Sequence, residues 1–418
     1  VRLVSRVLDR LTRPPILAAF AILCGLSVAV VGIAYLRNIS GPVEPGTAHV
    51  VTGDYLAFLT GARVLADGNG ASLYDLDAQY AVQTRLAGTA LPAWQPYVNP
   101  PLFAVLLRPL ARLPFVTGFY IYAAAMIALG LLAALALVGL APRLSRGRLD
   151  AATLVVLALA FHPIARTMFG GQNTVLTWAL VTGALWALQS NRSIVAGLCV
   201  AFLSYKPQYV PLLFAALVLS RAWTAAAVAV VGIFVHYLMG AAFIGADWPL
   251  RLAAAMRLYR PMEAVNIPTH FSLLPFFQHA FGGRLAPVLA LVSAAGVLVA
   301  LARFAPRARP GDANFPLTWA LLLVTAMLLS PHLQYYDFGL LVLPVVIALD
   351  SIVRDGRAVA LSIRLAIAAV YAAYPVIYET HRLFQPLTVV TVIVFAWLCW
   401  LGRGARLRAA ARPAAPSP

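Results

Sequence analysis

Four short polar stretches interrupt an otherwise apolar chain, and each carries residue types suited to transferring a group at a membrane surface. Gly53-Asp54-Tyr55 comes a few residues after the first long apolar run. A carboxylate just outside a bilayer is cheap to hold ionised and can act as a base on a substrate presented there. Asp is also a favoured N-cap, so Asp54 could open a helix over 55–66; capping and catalysis are compatible. Asp67, Asp75 and Asp77 rank behind it, because Asp67-Gly68-Asn69-Gly70 has turn chemistry.

The second stretch, Phe169-Gly170-Gly171-Gln172-Asn173-Thr174, joins two short apolar runs. Gly-Gly permits close backbone approach, and Gln172 and Asn173 offer amides suited to sugar hydroxyls; a plain turn with an Asn cap is the competing reading. The third, Ser204-Tyr205-Lys206-Pro207-Gln208, holds the only lysine in the chain. An ammonium between apolar runs is costly unless it is paired or hydrated. A phosphate partner would account for it, and so would snorkelling to the surface. Arg166 is a second candidate cation. The fourth, Ser330-Pro331-His332-Leu333-Gln334-Tyr335-Tyr336-Asp337, brings an imidazole, an amide, two phenols and a carboxylate together. Contact with a ligand or leaving group is expected there, over a plain interface loop with Tyr anchors. His49, His162, His236, His270, His279 and His381 share no spacing and are assigned no role.

The elements that must position these residues are membrane spans. Of 418 residues, 62% are hydrophobic and only 11% charged, with a mean hydropathy of +0.86. Soluble domains carry about 25% charged residues. Runs such as Ile16–Leu36, Phe115–Ala141 and Thr224–Ile244 match the ~20 residues needed to cross a bilayer. An all-α polytopic membrane protein follows. The net charge of +17 does not indicate nucleic acid, because the basic residues lie in short clusters between apolar runs without interleaved aromatics. Arginine supplies nearly all of that charge, which with abundant alanine suggests a GC-rich bacterial genome. Cys24, Cys199 and Cys399 all fall in apolar runs and imply neither a disulfide framework nor a zinc site. No metal or cofactor is expected, and the first apolar run reads as a retained signal-anchor.

Arginine clusters at the amino terminus, Arg143/Arg146/Arg148, Arg303/Arg307/Arg309, Arg354/Arg357/Arg364 and Arg403/Arg406/Arg408/Arg412 mark cytoplasmic ends, with Arg192 and Arg221 as single markers. Twelve spans satisfy them, near 16–36, 115–141, 151–165, 173–189, 194–204, 209–220, 224–244, 285–303, 316–330, 337–353, 362–378 and 386–401. The short ones at 194–204 and 209–220 require a water-filled cavity around Lys206. All four polar stretches then face away from the cytoplasm. Residues 1–401 form one membrane domain, and 402–418 read as a basic, disordered cytoplasmic tail.

The first outer loop, 37–114, has finer structure. Residues 54–66 place Tyr55, Phe58, Leu59, Ala62 and Leu65 on one helical face, a pattern for a helix lying at the interface. A second such helix is expected over Asn99–Leu113, and 67–97 reads as a polar loop.

In order and sidedness, the Asp after the first span, Asn99-Pro100-Pro101, the Gly-Gln-Asn turn, the Lys-Pro-Gln turn and Pro331-His332-x-x-x-Tyr336-Asp337 resemble glycosyltransferase family 87. These are GT-C enzymes similar to polyprenyl-phosphate-mannose-dependent α-1,2-mannosyltransferases. The likeness runs from about 50 to 345. It implies a GT-C-like bundle and transfer of a hexose, with mannose the expected sugar, from a polyprenyl-phosphate donor to a lipid or glycan acceptor. The reaction would be an inverting single displacement on the periplasmic face of a bacterial inner membrane. It also implies Asp54 as the base, with Lys206, Arg166 and His332 on the donor phosphate. Asn99, Gln172, Asn173, Gln208, Gln334 and Tyr336 would contact sugar or substrate. The alternative from another class is a transporter or flippase of a lipid-linked or anionic solute, because short spans broken by Gly-Gly and Lys-Pro resemble discontinuous transporter helices. Against it, no repeat relates the two halves, and the first outer loop has no later counterpart.

Overall fold

The structure, a computed structural model, describes residues 13–147, 149–380 and 385–410. Arg2, Arg6, Arg10, Arg148, His381 and Arg412 therefore lie outside the described residues. Helices dominate, and no strand occurs among the described residues; the nearest approach is a pair of isolated bridges, Val43 with Val50 and His270 with Gln334.

Two classes of helix build the bundle. Long ones such as Pro14–Asn38, Phe115–Leu140, Trp223–Ile244 and Leu285–Phe304 have 20 to 26 residues. All four expose apolar side chains that lipid would cover, including Leu23, Val30, Leu132, Phe234, Leu291 and Val299. Short ones, Thr174–Gln189, Ser193–Phe202, Val210–Leu219 and Phe315–Leu329, pack inside. Phe315–Leu329 buries thirteen of its fifteen residues, as a helix apolar on every side must.

The twelve expected spans are not all met by helices of full membrane length. Among the described residues, six helices are long and apolar enough to cross a membrane, or seven if Ala151–Ala160 and His162–Phe169, bent by 67°, count as one. The difference has a physical origin. At about 1.5 Å per residue, a 16-residue helix reaches about 24 Å and a 10-residue helix about 15 Å, short of a hydrocarbon core ~30 Å thick. The short helices stop part-way along the long ones, and their ends are the polar turns of the sequence.

Among the described residues, arginines of the four later clusters meet at one end. Arg354 donates to Asn314 Oδ1 at 2.7 Å, and Arg406 reaches the carbonyls of Ala302 and Ala305 at 3.2 and 2.8 Å. Arg408 pairs with Asp355 at 2.7 Å, and Asp350 accepts from Arg143 N and Leu144 N at 2.8 and 2.9 Å. At the opposite end, Tyr120 OH donates to Leu36 O at 2.9 Å.

The first loop is more folded than its composition suggests. Tyr55–Ala66 forms as expected, but buries ten of its twelve residues rather than one face, packing on Pro101–Leu107. The expected helix over Asn99–Leu113 is broken into Pro101–Leu107 and a short 3-10 turn, Leu110–Arg112, because Pro109 interrupts it. Residues 67–97 are no plain polar loop. Leu76–Ala87 is a helix whose N-cap, Asp75, accepts from Asp77 N and Ala78 N, and Gly88 at φ +69° ends it. Its glutamines point inward: Gln79 exchanges hydrogen bonds with the Tyr97 backbone at 2.6 and 3.1 Å, and Gln83 donates to Gln95 O. Polar composition here serves burial with partners, not solvation. Residues 245–283 likewise contain helices Trp248–Glu263 and Leu273–Phe281. The final helix, Pro386–Ala410, carries the chain through 402–410, where a disordered tail was expected.

Candidate active site

Two backbone turns press together to make the core of the site. Gly53 has φ +52°, and a Cβ there would lie 2.3 Å from Gly170 O. Gly171 has φ +78°, and a Cβ there would lie 2.0 Å from Thr52 O. Only glycine tolerates both the left-handed backbone and the contact. The residues that follow, Asp54 and Gln172, are thereby set side by side. Tyr122 OH donates to Gln172 O at 2.9 Å and holds the second turn from behind.

Asp54 occupies the N-cap position of Tyr55–Ala66, yet its side chain makes no capping bond. Its carboxylate turns instead to Tyr336, whose hydroxyl donates to Oδ2 at 2.9 Å, and to the Gln172 amide. Loss of water raises the pKa above the ordinary carboxylate value. The hydrogen bonds from Gln172 and Tyr336 and the charges of Lys206 and His332 pull it back. Asp54, Lys206 and His332 therefore share one electrostatic neighbourhood. Asn173, likewise at an N-cap position, also makes no capping bond, so the turn-and-cap reading fails for both residues.

Lys206 is buried, and its anionic partner is in the protein. Nζ lies 2.9 Å from Asp337 Oδ1, an atom that also accepts from the Thr174 hydroxyl. Snorkelling is excluded by that burial. The Lys-Pro-Gln turn is tied in through Tyr205, whose hydroxyl lies 2.5 Å from the Thr177 hydroxyl and donates to Asn173 O at 3.1 Å. Pro207, without an N–H, stands where the helix of Ser193–Phe202 cannot continue.

Gln334 does not hold its amide open. Thr269 donates to its Oε1 at 2.7 Å, and its Nε2 lies 2.8 Å from His270 Nε2. The exposed His332 ring sits edge-on to His270, centroids 4.7 Å apart. Arg166 lies over the Tyr35 ring at 5.7 Å, beside Gly170. Asn99 is positioned through its backbone, its carbonyl accepting from Tyr74 OH at 2.9 Å, while Tyr97 OH accepts from Ala104 N and braces the Pro-Pro turn. Gln208 is half-buried, and its side chain makes no hydrogen bond with any described residue.

The roles expected from the sequence left out Asp337, Thr174 and Tyr205, although each lies in a polar stretch singled out there, and gave none to His270. Asp337 had a signal, as an acid opening an apolar run in a chain whose single lysine, Lys206, also lies between apolar runs. His270 had none, since its place depends on an isolated bridge between distant segments.

The profile of glycosyltransferase family 87 matches residues 97–331, more than half of the chain. This protein belongs to glycosyltransferase family 87. No curated protein and no solved structure matches it. As a member of family 87 it is a membrane glycosyltransferase, and the transporter reading is set aside on that ground. The matched residues include Asn99, Arg166, Gln172, Asn173, Lys206 and Gln208. Asp54, His332, Gln334, Tyr336 and Asp337 fall outside them, so their place in a family 87 site rests on the geometry above. Glycosyl transfer needs a base for the acceptor hydroxyl and positive charge for the leaving group. A desolvated, uncapped carboxylate near a lysine and an imidazole is an arrangement that can serve both needs.

Proposed function

We propose that this protein transfers a hexose, mannose being the expected sugar, from a polyprenyl-phosphate donor to a lipid or glycan acceptor. The observation carrying the reading is Asp54: it caps nothing, is held by Tyr336 and Gln172, and lies near two cationic side chains. Asp54 takes the proton of the acceptor hydroxyl. That oxygen forms a bond to the anomeric carbon as the bond to the phosphate oxygen breaks, inverting the centre. The electron pair leaves with polyprenyl phosphate, and Lys206 and His332 offset its charge. Arg166 stands behind the Gly-Gly turn as a further cation.

Tyr336, expected from the resemblance to touch sugar, has its hydroxyl directed at Asp54 and would orient the base. Gln172 retains a buried, unpartnered Oε1 able to accept from a sugar hydroxyl. Asn173, Gln208 and Asn99 remain candidates for further sugar or substrate contact. The reading places the site on the face of a bacterial inner membrane away from the cytoplasm. Support comes from the arginine clusters gathering at the other end, as the positive-inside rule requires of cytoplasmic ends.

The test uses purified protein in lipid nanodiscs with radiolabelled polyprenyl-phosphate-mannose and host lipid extract, wild type against Asp54→Asn. Label entering a new product, and stopping in the variant, supports the assignment. Label staying on the donor with both proteins rejects this donor, and donor crossing leaflets unchanged would replace transfer with flipping.

A further inference from the structure

A second polar cavity lies at the arginine-rich end, on the far side of the bundle from Asp54. Its volume is about 240 Å³, below the ~300–1,000 Å³ of pockets that enclose whole drug-sized ligands. Leu140, Pro142, Leu317 and Ile347 make its apolar part, and Arg143, Gln189, Asp350, Ser351 and Arg354 its polar part.

The walls are fixed before any ligand arrives. Gln189 accepts from Gly311 N at 2.7 Å, which ties one helix end to the loop preceding Phe315–Leu329. Arg354 donates to Asn314 Oδ1 and Ser351 Oγ at 2.7 and 3.1 Å and also reaches Ala313 O. Asp350 directs one oxygen to both Arg143 N and Leu144 N, so its negative charge is already met by two donors. One strong group is left over. The Arg143 guanidinium is exposed and makes no hydrogen bond or ion pair with any described residue, although its backbone is pinned at the rim by Asp350.

We propose that this cavity binds a phosphate-ester headgroup, with Arg143 as its fork and the apolar floor under the glycerol end of an anionic phospholipid. A guanidinium matches two phosphate oxygens at once, and basic pockets between helix ends at a membrane surface are suited to anionic headgroups. The cavity is too small for a whole lipid and has the mixed lining a headgroup with the start of its chains needs. The site is separate from glycosyl transfer and does not depend on Asp54.

The experiment is native mass spectrometry of delipidated full-length protein with added phosphatidylglycerol or phosphatidylcholine, repeated with inorganic phosphate as competitor. Wild type is compared with Arg143→Ala, Arg143→Lys and Arg146→Ala, the last an exposed arginine outside the lining. Phosphatidylglycerol should be retained over phosphatidylcholine. Arg143→Ala should weaken retention about five-fold, the worth of one basic residue at an anionic surface. Arg143→Lys should fall between, and Arg146→Ala should match wild type. Displacement of the lipid by millimolar phosphate would assign the phosphate chemistry to a free anion. Equal loss with Arg143→Ala and Arg146→Ala, or no preference between the two lipids, would overturn the site. Because lipid retention is read on intact protein, an unfolded variant is recognised by its charge-state distribution, and Arg143→Lys then decides.

Discussion

Both ends of the bundle set an aspartate against a cation, under different conditions. Where the short helices stop, Lys206 and Asp337 lie 2.9 Å apart with side chains only 11% and 3% exposed. At the arginine-rich end, Arg408 and Asp355 lie 2.7 Å apart, but the arginine is 44% exposed. The near-equal distances conceal unequal energetics. Water screens the second pair, whereas the first must satisfy each of its charges internally. Charges are few at the first end and each is directed at another group; at the second they are many and serve helix ends and topology. At the first end the Lys206–Asp337 pair lacks water to stabilise it, so neighbouring groups or a substrate must do so instead.

Asp54→Asn would sharpen that contrast most. It is expected to lower glycosyl transfer by about 10²–10⁴-fold, the usual worth of a general base, with assembly and helicity unchanged. Retained transfer would mean that the uncapped carboxylate has no catalytic part. Lys206→Ala comes next. Removing one partner leaves Asp337 buried and charged, which should cost about 3–5 kcal/mol in thermal unfolding. Lys206→Met combined with Asp337→Leu should recover most of it. If the single variant is as stable as wild type, the two ends are energetically alike and the contrast fails.

Gly171→Ala would strain the contact between the two turns. The residue has φ +78°, and the new methyl would meet Thr52 O at 2.0 Å. A loss of about 1–3 kcal/mol is expected from the backbone alone, with activity falling further because Gln172 moves relative to Asp54. That contact illustrates what the sequence could disclose. Gly170-Gly171 announced a close approach, but not that its partner would be Gly53, more than a hundred residues earlier. The helical class and the membrane habit were legible from hydropathy, since both are local averages. Asp54, Gln172, Lys206 and His332 stood out as polar residues where apolar ones were due, and the fold brings the other three close to Asp54. Span number was not legible, because an apolar run of ten to sixteen residues looks the same whether it crosses a bilayer or ends inside a protein. The buried glutamines of Leu76–Ala87 misled for a related reason: composition does not record that Gln79 meets the Tyr97 backbone.

Proton occupancy of Asp54 separates the ends more gently. Burial raises its pKa above that of the unfolded chain. Folding stability from this group is therefore present below the unfolded pKa and lost as pH rises through the folded one. At neutral pH the ionised carboxylate is a burden on the fold. Asp54→Asn should melt slightly higher than wild type there, and the gap should close on acidification. Transfer runs the opposite way, because the base must be ionised, so kcat/KM should fall as pH drops through the raised pKa. A variant that melts lower than wild type at neutral pH would show that the hydrogen bonds and cations outweigh desolvation.

Arg408→Ala should do least. The pair with Asp355 is part-exposed, Asp355 keeps Arg354 as a second partner at 3.4 Å, and pairs of this kind contribute about 0–1 kcal/mol. A change of that size should also shrink as salt is added, because exposed charges are screened within about 10 Å at 0.1 M. The buried pair should show little salt dependence. Measuring unfolding of Arg408→Ala and Lys206→Ala at low and high ionic strength tests both statements together. A large, salt-insensitive loss for Arg408→Ala would mean that the arginine-rich end is as tightly organised as the end that holds Lys206 and Asp337. Its charges would then be structural members rather than markers of sidedness.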